Sequence, residues 1–218
     1  MKRMLITAGP THEPIDAVRY IANRSSGRMG IALASAARQA GWEVTLLLGH
    51  VHLPPPDGVK VISFSSTADL EALLDECFPW CDVLVMAAAV ADYRPRDVAQ
   101  GKLARGEETL FLELEPTSDL VARCAARRGP DQRVVGFALE ESSVIDERAV
   151  EKLRRKNLDA LVANPLATMG SSKISATLYL PDGRRMSPPT PVAGETESDK
   201  NEFARWLVDW IGTEFRLR

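Results

Sequence analysis

No apolar run in this 218-residue chain reaches the length a membrane-spanning helix needs; the longest, residues 83–91, stops far short of roughly 20. The N-terminus, MKRMLITAGP, lacks the apolar core and small-residue cleavage site of a secretory leader. Cysteine is scarce. Cys77, Cys81 and Cys124 are odd in number, support no disulfide framework and fit a reducing cytoplasm. Cys77 and Cys81 also lack the second pair that a structural zinc site requires, so packing is their default role. Neither sign of charge dominates, with 27 Lys and Arg against 30 Asp and Glu. Basic side chains in the first fifty residues (Lys2, Arg3, Arg19, Arg24, Arg28, Arg38) are spread along the segment. That spread excludes a nucleic-acid arm and is compatible with a small anionic ligand, or with plain solvated charge. Internal repeats and low-complexity tracts are absent. A hydrophobic fraction of 45% and a charged fraction of 26% exclude a disordered or collagen-like chain and point to one globular domain over residues 1–218.

What is present is an alternation of strands and helices. Residues 4–9, 43–48, 59–64, 83–89, 134–138 and 158–163 read as buried strands, and residues 110–114 as an edge strand. Helices are expected from Ser25 to Ala40, ended by Gly41, over 68–77 capped by Ser66 or Thr67, from Ser118 or Asp119 to about 128, over 146–156 and over 202–215. A Pro-Asp-Gly turn between residues 174–180 and 184–186 predicts a hairpin, read as an appendage over about 171–190, with a C-terminal helix over 199–215. The fold class is α/β: a Rossmann-like three-layer αβα arrangement with a mostly parallel central sheet. Right-handed crossovers place all the strand C-termini on one edge, where ligands bind.

The segments from Thr7 to Gly30, Ala87 to Lys102, Phe137 to Glu141 and Asn164 onward fall at that edge, and the chain's unusual stretches are residues 7–30, 83–95, 100–108 and 150–164. In residues 7–30, Ser25-Ser26-Gly27 stands at a helix start, flanked by Arg24 and Arg28; free N–H groups and hydroxyls there suit a phosphate, although simple N-capping accounts for them equally. The alanines of residues 83–95 leave room for a flat ligand, and Asp92 follows where a base or ribose could be met; a packed strand and an Asp turn is the alternative. Gly101 and Gly106 bracket Lys102 and Arg105 in a flexible flap. Lys152 and Lys156 share a helix face and repel unless an anion or carboxylate lies between them. The dinucleotide spacing G-x-G-x-x-G is missing, and the second strand ends LLLGH without a ribose-binding acid, which disfavours an NAD(P)-dependent oxidoreductase. The His50-Val51-His52 pair has no third metal ligand in view.

The blocks ITAGPTHEPIDAVRYIANRSSGRMG, AAAVADYRP, VVGFALE and KNLDALVAN, in that order across residues 4–165, resemble the bacterial phosphopantothenoylcysteine synthetase family. The resemblance implies a homodimeric ligase of coenzyme A synthesis that joins 4′-phosphopantothenate to cysteine. CTP activates the carboxylate as an acyl-cytidylate, with Mg²⁺ accompanying the triphosphate. It also implies a separate flavin-dependent decarboxylase as a possible partner, with no flavin on this chain. By position, Asn23 matches the family's acyl-contacting asparagine and Lys102 its flap lysine. Met86, Ala87, Ala88, Asp92, Phe137, Lys152 and Lys156 match nucleotide contacts. Thr117, Ser118 and Asp119 stand in the block that holds the nucleotide, and Gly9, Arg19, Ser25, Ser26 and Gly27 are the expected phosphate and substrate contacts.

The flap reads Lys102-Leu103-Ala104-Arg105 where the family often has K-I-K-K, and Thr117-Ser118-Asp119-Leu120 replaces a common N-P-D-I. ATP therefore stays open as the nucleotide. A non-catalytic nucleotide-binding role is the other alternative. No metal ligand from the protein is identified.

Overall fold

The computed structural model describes residues 1–188 and 197–215. In chain order the elements are β1 (Arg3–Ala8), β2 (His12–Pro14), β3 (Tyr20–Ala22), α1 (Arg28–Gln39), β4 (Glu43–Leu48), β5 (Lys60–Ser63) and α2 (Thr67–Cys77). They continue as β6 (Val83–Met86), β7 (Tyr93–Pro95), β8 (Leu114–Pro116), α3 (Leu120–Arg127), β9 (Arg133–Glu140), α4 (Ile145–Arg155) and β10 (Ala160–Pro165). The chain closes with β11 (Lys173–Ile174), β12 (Thr177–Tyr179), β13 (Arg185–Met186), β14 (Ser198–Asp199) and α5 (Lys200–Glu214).

Eight strands form the central sheet in the order β13-β12-β10-β9-β6-β1-β4-β5. From β5 to β10 the pairing is parallel, and β12 runs antiparallel to β10. The inner strands alternate their side chains between two cores, as a pleat of period two requires. Met4 and Ile6 pack with α1 and α5 on one face, and Leu5 packs with α2 and Phe78 on the other. Helix α5 alone buries Phe203, Leu207, Val208 and Ile211, each contributing roughly 1.5–3 kcal/mol. Gly30 lets α1 lie directly on β1: a Cβ there would come within 2.4 Å of the Ala8 Cβ.

Three expectations change. Residues 110–114 do not make an edge strand of the sheet. Only Leu114 enters β8, which pairs with β7 in a separate ribbon, and Phe111 is 86% exposed, so no burial fixes a register there. The hairpin in the segment over about 171–190 forms, but its strands β12 and β13 continue the central sheet, while β11 stands apart from it in a pair with β14; residues 189–190 lie outside the described residues. Helix α1 begins at Arg28 rather than Ser25, because Gly27 takes a left-handed conformation (φ 69°) that ends the preceding loop. Among the described residues no helix is long and apolar enough to cross a membrane.

Candidate functional site

The strand order turns back on either side of β1, with β4 on one side and β6 on the other, so a crevice opens above their C-terminal ends. A cavity of about 510 Å³ lies at this edge, bounded by the start of α1, residues 86–92, residues 117–121, the end of β9, α4, and the segment that follows β10.

The floor of the cavity is backbone held from beneath by two buried threonines. Thr7 Oγ1 accepts the N–H of Ala88 at 3.0 Å, and Thr11 Oγ1 accepts the N–H of Ala91 at 3.0 Å. The Gly9 carbonyl accepts from Ala89 N–H at 2.9 Å. Thr11 is tied to Thr67, whose N–H and hydroxyl both donate to the buried Glu13 carboxylate, at 2.9 and 2.7 Å. An acid at the N-terminus of α2 also suits the helix dipole. Residues 87–92 thus form a rigid shelf although strand β6 stops at Met86.

One wall is the start of α1. Gly27 is its N-cap, and among the described residues no side chain caps the first turn, so free N–H groups face the cavity beside Ser25 and Ser26. The capping role open to those serines is not the one they take. A Cβ on Gly27 would sit 2.7 Å from Val51 Cγ1, so glycine is required here for space as well as for its dihedral. Asn23 stands at the mouth. Its Nδ2 donates to the Val90 carbonyl at 2.9 Å, which uses one of its two amide hydrogens and, among the described residues, leaves the other free.

Opposite, Phe137, Met86, Ala87 and Ala88 give an apolar strip. Thr117 N–H donates to the Asp92 carbonyl at 3.0 Å and fixes the far rim. Lys152 and Lys156 both reach the cavity, but no shared anion separates them. Lys152 pairs with the buried Glu140 at 2.5 Å, and Lys156 pairs with Asp119 at 3.0 Å. Asp119 also caps α3 by accepting from Ala122 N–H at 3.2 Å. Each lysine thus has its own carboxylate, supplied by another element, which sequence spacing could not reveal.

The segment from Asn164 onward was expected at this edge, but the residues it contributes, Asn164, Thr168, Met169, Gly170 and Ile174, were not singled out, and Lys200 was missed. Lys200 opens a helix whose apolar face gave the only sequence signal, and nothing in that signal pointed toward the crevice. Asp92 and Asp119 are the carboxylates lining the cavity, against Arg24, Arg28, Lys152, Lys156 and Lys200. The site therefore favours anions.

Three expected residues do not line the cavity: Gly9, Arg19 and Lys102. Gly9 supports the shelf from behind. Arg19 is committed elsewhere, donating to Asp16 and to the Leu103 carbonyl, the latter at 2.7 Å. Asp16 also accepts the N–H of Val18 at 2.8 Å and of Leu103 at 3.0 Å. Burial pushes the Asp16 carboxyl up, but these N–H groups and the Arg19 guanidinium outweigh it and hold it well below the usual carboxylate range. This knot fastens the flap that carries the exposed Lys102 to the turn between β2 and β3, directly ahead of Asn23. Cys77, Cys81 and Cys124 are buried and none lines the cavity. Burial pushes the Cys81 thiol up to about 12.

Comparison with known proteins places this architecture. A prokaryotic cysteine/cysteine sulfinic acid decarboxylase is 46% identical over 171 residues, covering 78% of this chain and 47% of that protein. The coenzyme A biosynthesis bifunctional protein CoaBC of Mycobacterium bovis is 44% identical over 222 residues, covering 97% of this chain and 52% of that protein. The chain thus spans about half the length of the curated relatives it matches. The crystal structure of the C-terminal domain of a CoaBC protein superposes with a TM-score of 0.81 at 35% identity, over 98% of this chain and 95% of that one. With residues 1–214 matching its family description as well, this chain belongs to the DNA/pantothenate metabolism flavoprotein C-terminal domain family.

Proposed function

We propose that the chain is a phosphopantothenate–cysteine ligase of coenzyme A biosynthesis that uses CTP. The observation that carries this reading is one cavity uniting an uncapped helix start, an apolar strip with a rigid backbone shelf, and the Asn23 amide. Among the described residues the cavity wall carries no histidine, cysteine or tyrosine. Its cations and N–H groups suit binding and polarising anionic substrates, and the proposed reaction needs no covalent nucleophile from the protein.

In the proposed reaction a carboxylate oxygen of 4′-phosphopantothenate attacks the α-phosphorus of CTP, and pyrophosphate leaves. The cysteine amine then attacks the acyl carbon of the mixed anhydride, loses a proton and expels CMP. The cytosine ring lies along Phe137 and Met86–Ala88, where shelf groups can read its edge, and Asp92 meets the ribose. The N–H groups at the start of α1, with Ser25 and Ser26, take the phosphates. The free amide hydrogen of Asn23 donates to the acyl oxygen as it gains charge. Lys102, carried in by the flap, offsets charge on the phosphate of the departing CMP. Most of the acceleration comes from holding two substrates in register.

Magnesium would enter on the triphosphate. Among the described residues no group of three or more His, Cys, Asp or Glu side chains could hold a metal. Asp92 and Asp119 can contribute at most a partial ligand set, as magnesium sites with phosphate and water ligands allow. The ion would supply charge neutralisation at the phosphates.

A homodimer is part of the proposal. The ribbons β2–β3 and β7–β8 pack together and leave Val18, Tyr20, Tyr93, Phe111 and Leu114 exposed, an apolar surface suited to a second copy. A flavin-dependent decarboxylase that makes or uses related thiols is a compatible separate partner. The cytoplasm is the proposed setting.

Pyrophosphate release with 4′-phosphopantothenate, cysteine and Mg²⁺ tests the reading, run with CTP, ATP or neither. Release with CTP that depends on phosphopantothenate is expected. Release only with ATP would overturn the nucleotide assignment, and no release with either would overturn the ligase.

A further inference from the structure

The far wall of the cavity holds a cation that no step above uses. Lys200 is the first residue of α5, is 8% exposed, and lines the cavity together with Arg28 from the start of α1. Its ammonium has one long contact, to the Thr168 carbonyl at 3.4 Å. Among the described residues no carboxylate lies within ion-pairing distance of Lys200 or Arg28. The other cavity lysines, Lys152 and Lys156, each have their own acid. A desolvated ammonium beside a second cation is a costly arrangement that an anion between them would relieve. Burial, and then the Arg28 charge, push the Lys200 ammonium below the usual lysine range.

Two helices, α1 and α5, pack side by side with their N-termini at this same end of the cavity. Their dipoles add to the charges of Lys200 and Arg28. Asn164 Nδ2 donates to Thr168 Oγ1 at 2.7 Å and the Thr168 hydroxyl donates on to the Pro165 carbonyl at 2.8 Å, so the charged donors of this corner are Lys200 and Arg28, with one amide hydrogen of Asn164 beside them.

We propose that Lys200 and Arg28 form a phosphoryl subsite at the α1–α5 corner, which holds the pyrophosphate-bearing end of the nucleoside triphosphate. The assignment of the ligand rests on the ligase reading; the subsite itself does not. The shared chemistry is a phosphoryl dianion, and the phosphate of 4′-phosphopantothenate is the other source of it. The triphosphate is preferred because the α1 N-terminus, its natural phosphate seat, leads directly into this corner.

The test is calorimetric titration of the wild-type chain, Lys200→Met and Lys200→Arg with inorganic pyrophosphate and, separately, with 4′-phosphopantothenate. Thermal melting of each variant is measured alongside. Lys200→Met is expected to weaken pyrophosphate binding by about tenfold or more, the scale of one charged hydrogen bond. Phosphopantothenate binding should be unchanged, and Lys200→Arg should restore most of the loss. The melting temperature of Lys200→Met should hold or rise, since an unpaired buried charge is removed. A purely structural lysine would instead lower it. Loss confined to phosphopantothenate would keep the subsite and reassign its ligand. Unchanged binding of both probes, or a wild-type chain that binds neither, would overturn the proposal. Pyrophosphate binding without any product formation would leave the subsite standing and sink the ligase reading instead.

Discussion

Asn23→Asp is the most informative single change, because it replaces a hydrogen-bond donor by an acceptor at almost constant volume. In the folded chain one amide hydrogen of Asn23, which lines the cavity, is held by the Val90 carbonyl at 2.9 Å, and the second remains for a ligand. Aspartate would set a carboxylate oxygen against that carbonyl. Losing the ground-state bond costs about 1 kcal/mol, and somewhat more if the carbonyl is left unpaired. Losing the donor to the acyl oxygen costs about 3–4 kcal/mol in the transition state, a factor of roughly 10²–10³ in kcat. The added negative charge also opposes the anionic intermediate. Steady-state product formation should show this fall in kcat with KM for CTP changed by less than about fivefold, because the lost interaction belongs to the transition state. Asn23→Ala separates the two effects by removing the donor without adding charge. If Asn23→Ala stays within about threefold of the wild type, the donor argument is refuted and only charge repulsion remains.

Lys102→Ala should bind CTP normally by calorimetry yet lose about tenfold or more in turnover, since the lysine sits on the flap rather than in the cavity; equal turnover would remove it from the mechanism. Asp16→Ala should free the flap, giving faster proteolysis within residues 100–108 and a lower kcat at unchanged nucleotide affinity. The Asp16 carboxyl is held below its usual value, so the anchor is fully present above the unfolded value of about 3.9. It is lost only as pH falls through the folded value. Flap proteolysis with an acid-tolerant protease should therefore be flat from about pH 8 to 5 and rise only at stronger acidity; a rise near neutrality would contradict the knot. Gly30→Ala should destabilise the chain by about 1–3 kcal/mol in denaturant melts, because its Cβ would come within 2.4 Å of Ala8 and 2.9 Å of the Thr7 carbonyl.

The sequence was most legible where burial and local chemistry agreed. The parallel strands were found because β1, β4, β6, β9 and β10 are buried on both faces and read as continuous apolar runs. Each of two helix starts was narrowed to a pair of residues, Ser66 or Thr67 and Ser118 or Asp119; Ser66 is the cap, in a reciprocal box with Asp69, and Asp119 caps α3. Most of the cavity was legible too: Asn23, the serine–glycine turn, Met86–Ala88, Asp92, Thr117–Asp119, Phe137 and both lysines of α4 line one space.

What escaped was long-range. The partners of Lys152 and Lys156 come from β9 and the α3 cap. The ribbons β2–β3 and β7–β8 have strands of three residues, too short for a periodic signal. Lys200 reaches the cavity only because β11 and β14 pair and bring the start of α5 beside the segment that follows β10.

The central claim is that the carboxylate is activated as an acyl-cytidylate, and an isotope measurement reads that intermediate directly. 4′-Phosphopantothenate labelled with ¹⁸O in its carboxylate is turned over with CTP and cysteine, and the nucleotide and phosphate products are analysed by mass spectrometry. Attack at the α-phosphorus followed by acyl transfer must leave one labelled oxygen in CMP and none in pyrophosphate. Label in inorganic phosphate, with CDP as the nucleotide product, would show an acyl phosphate and contradict the account.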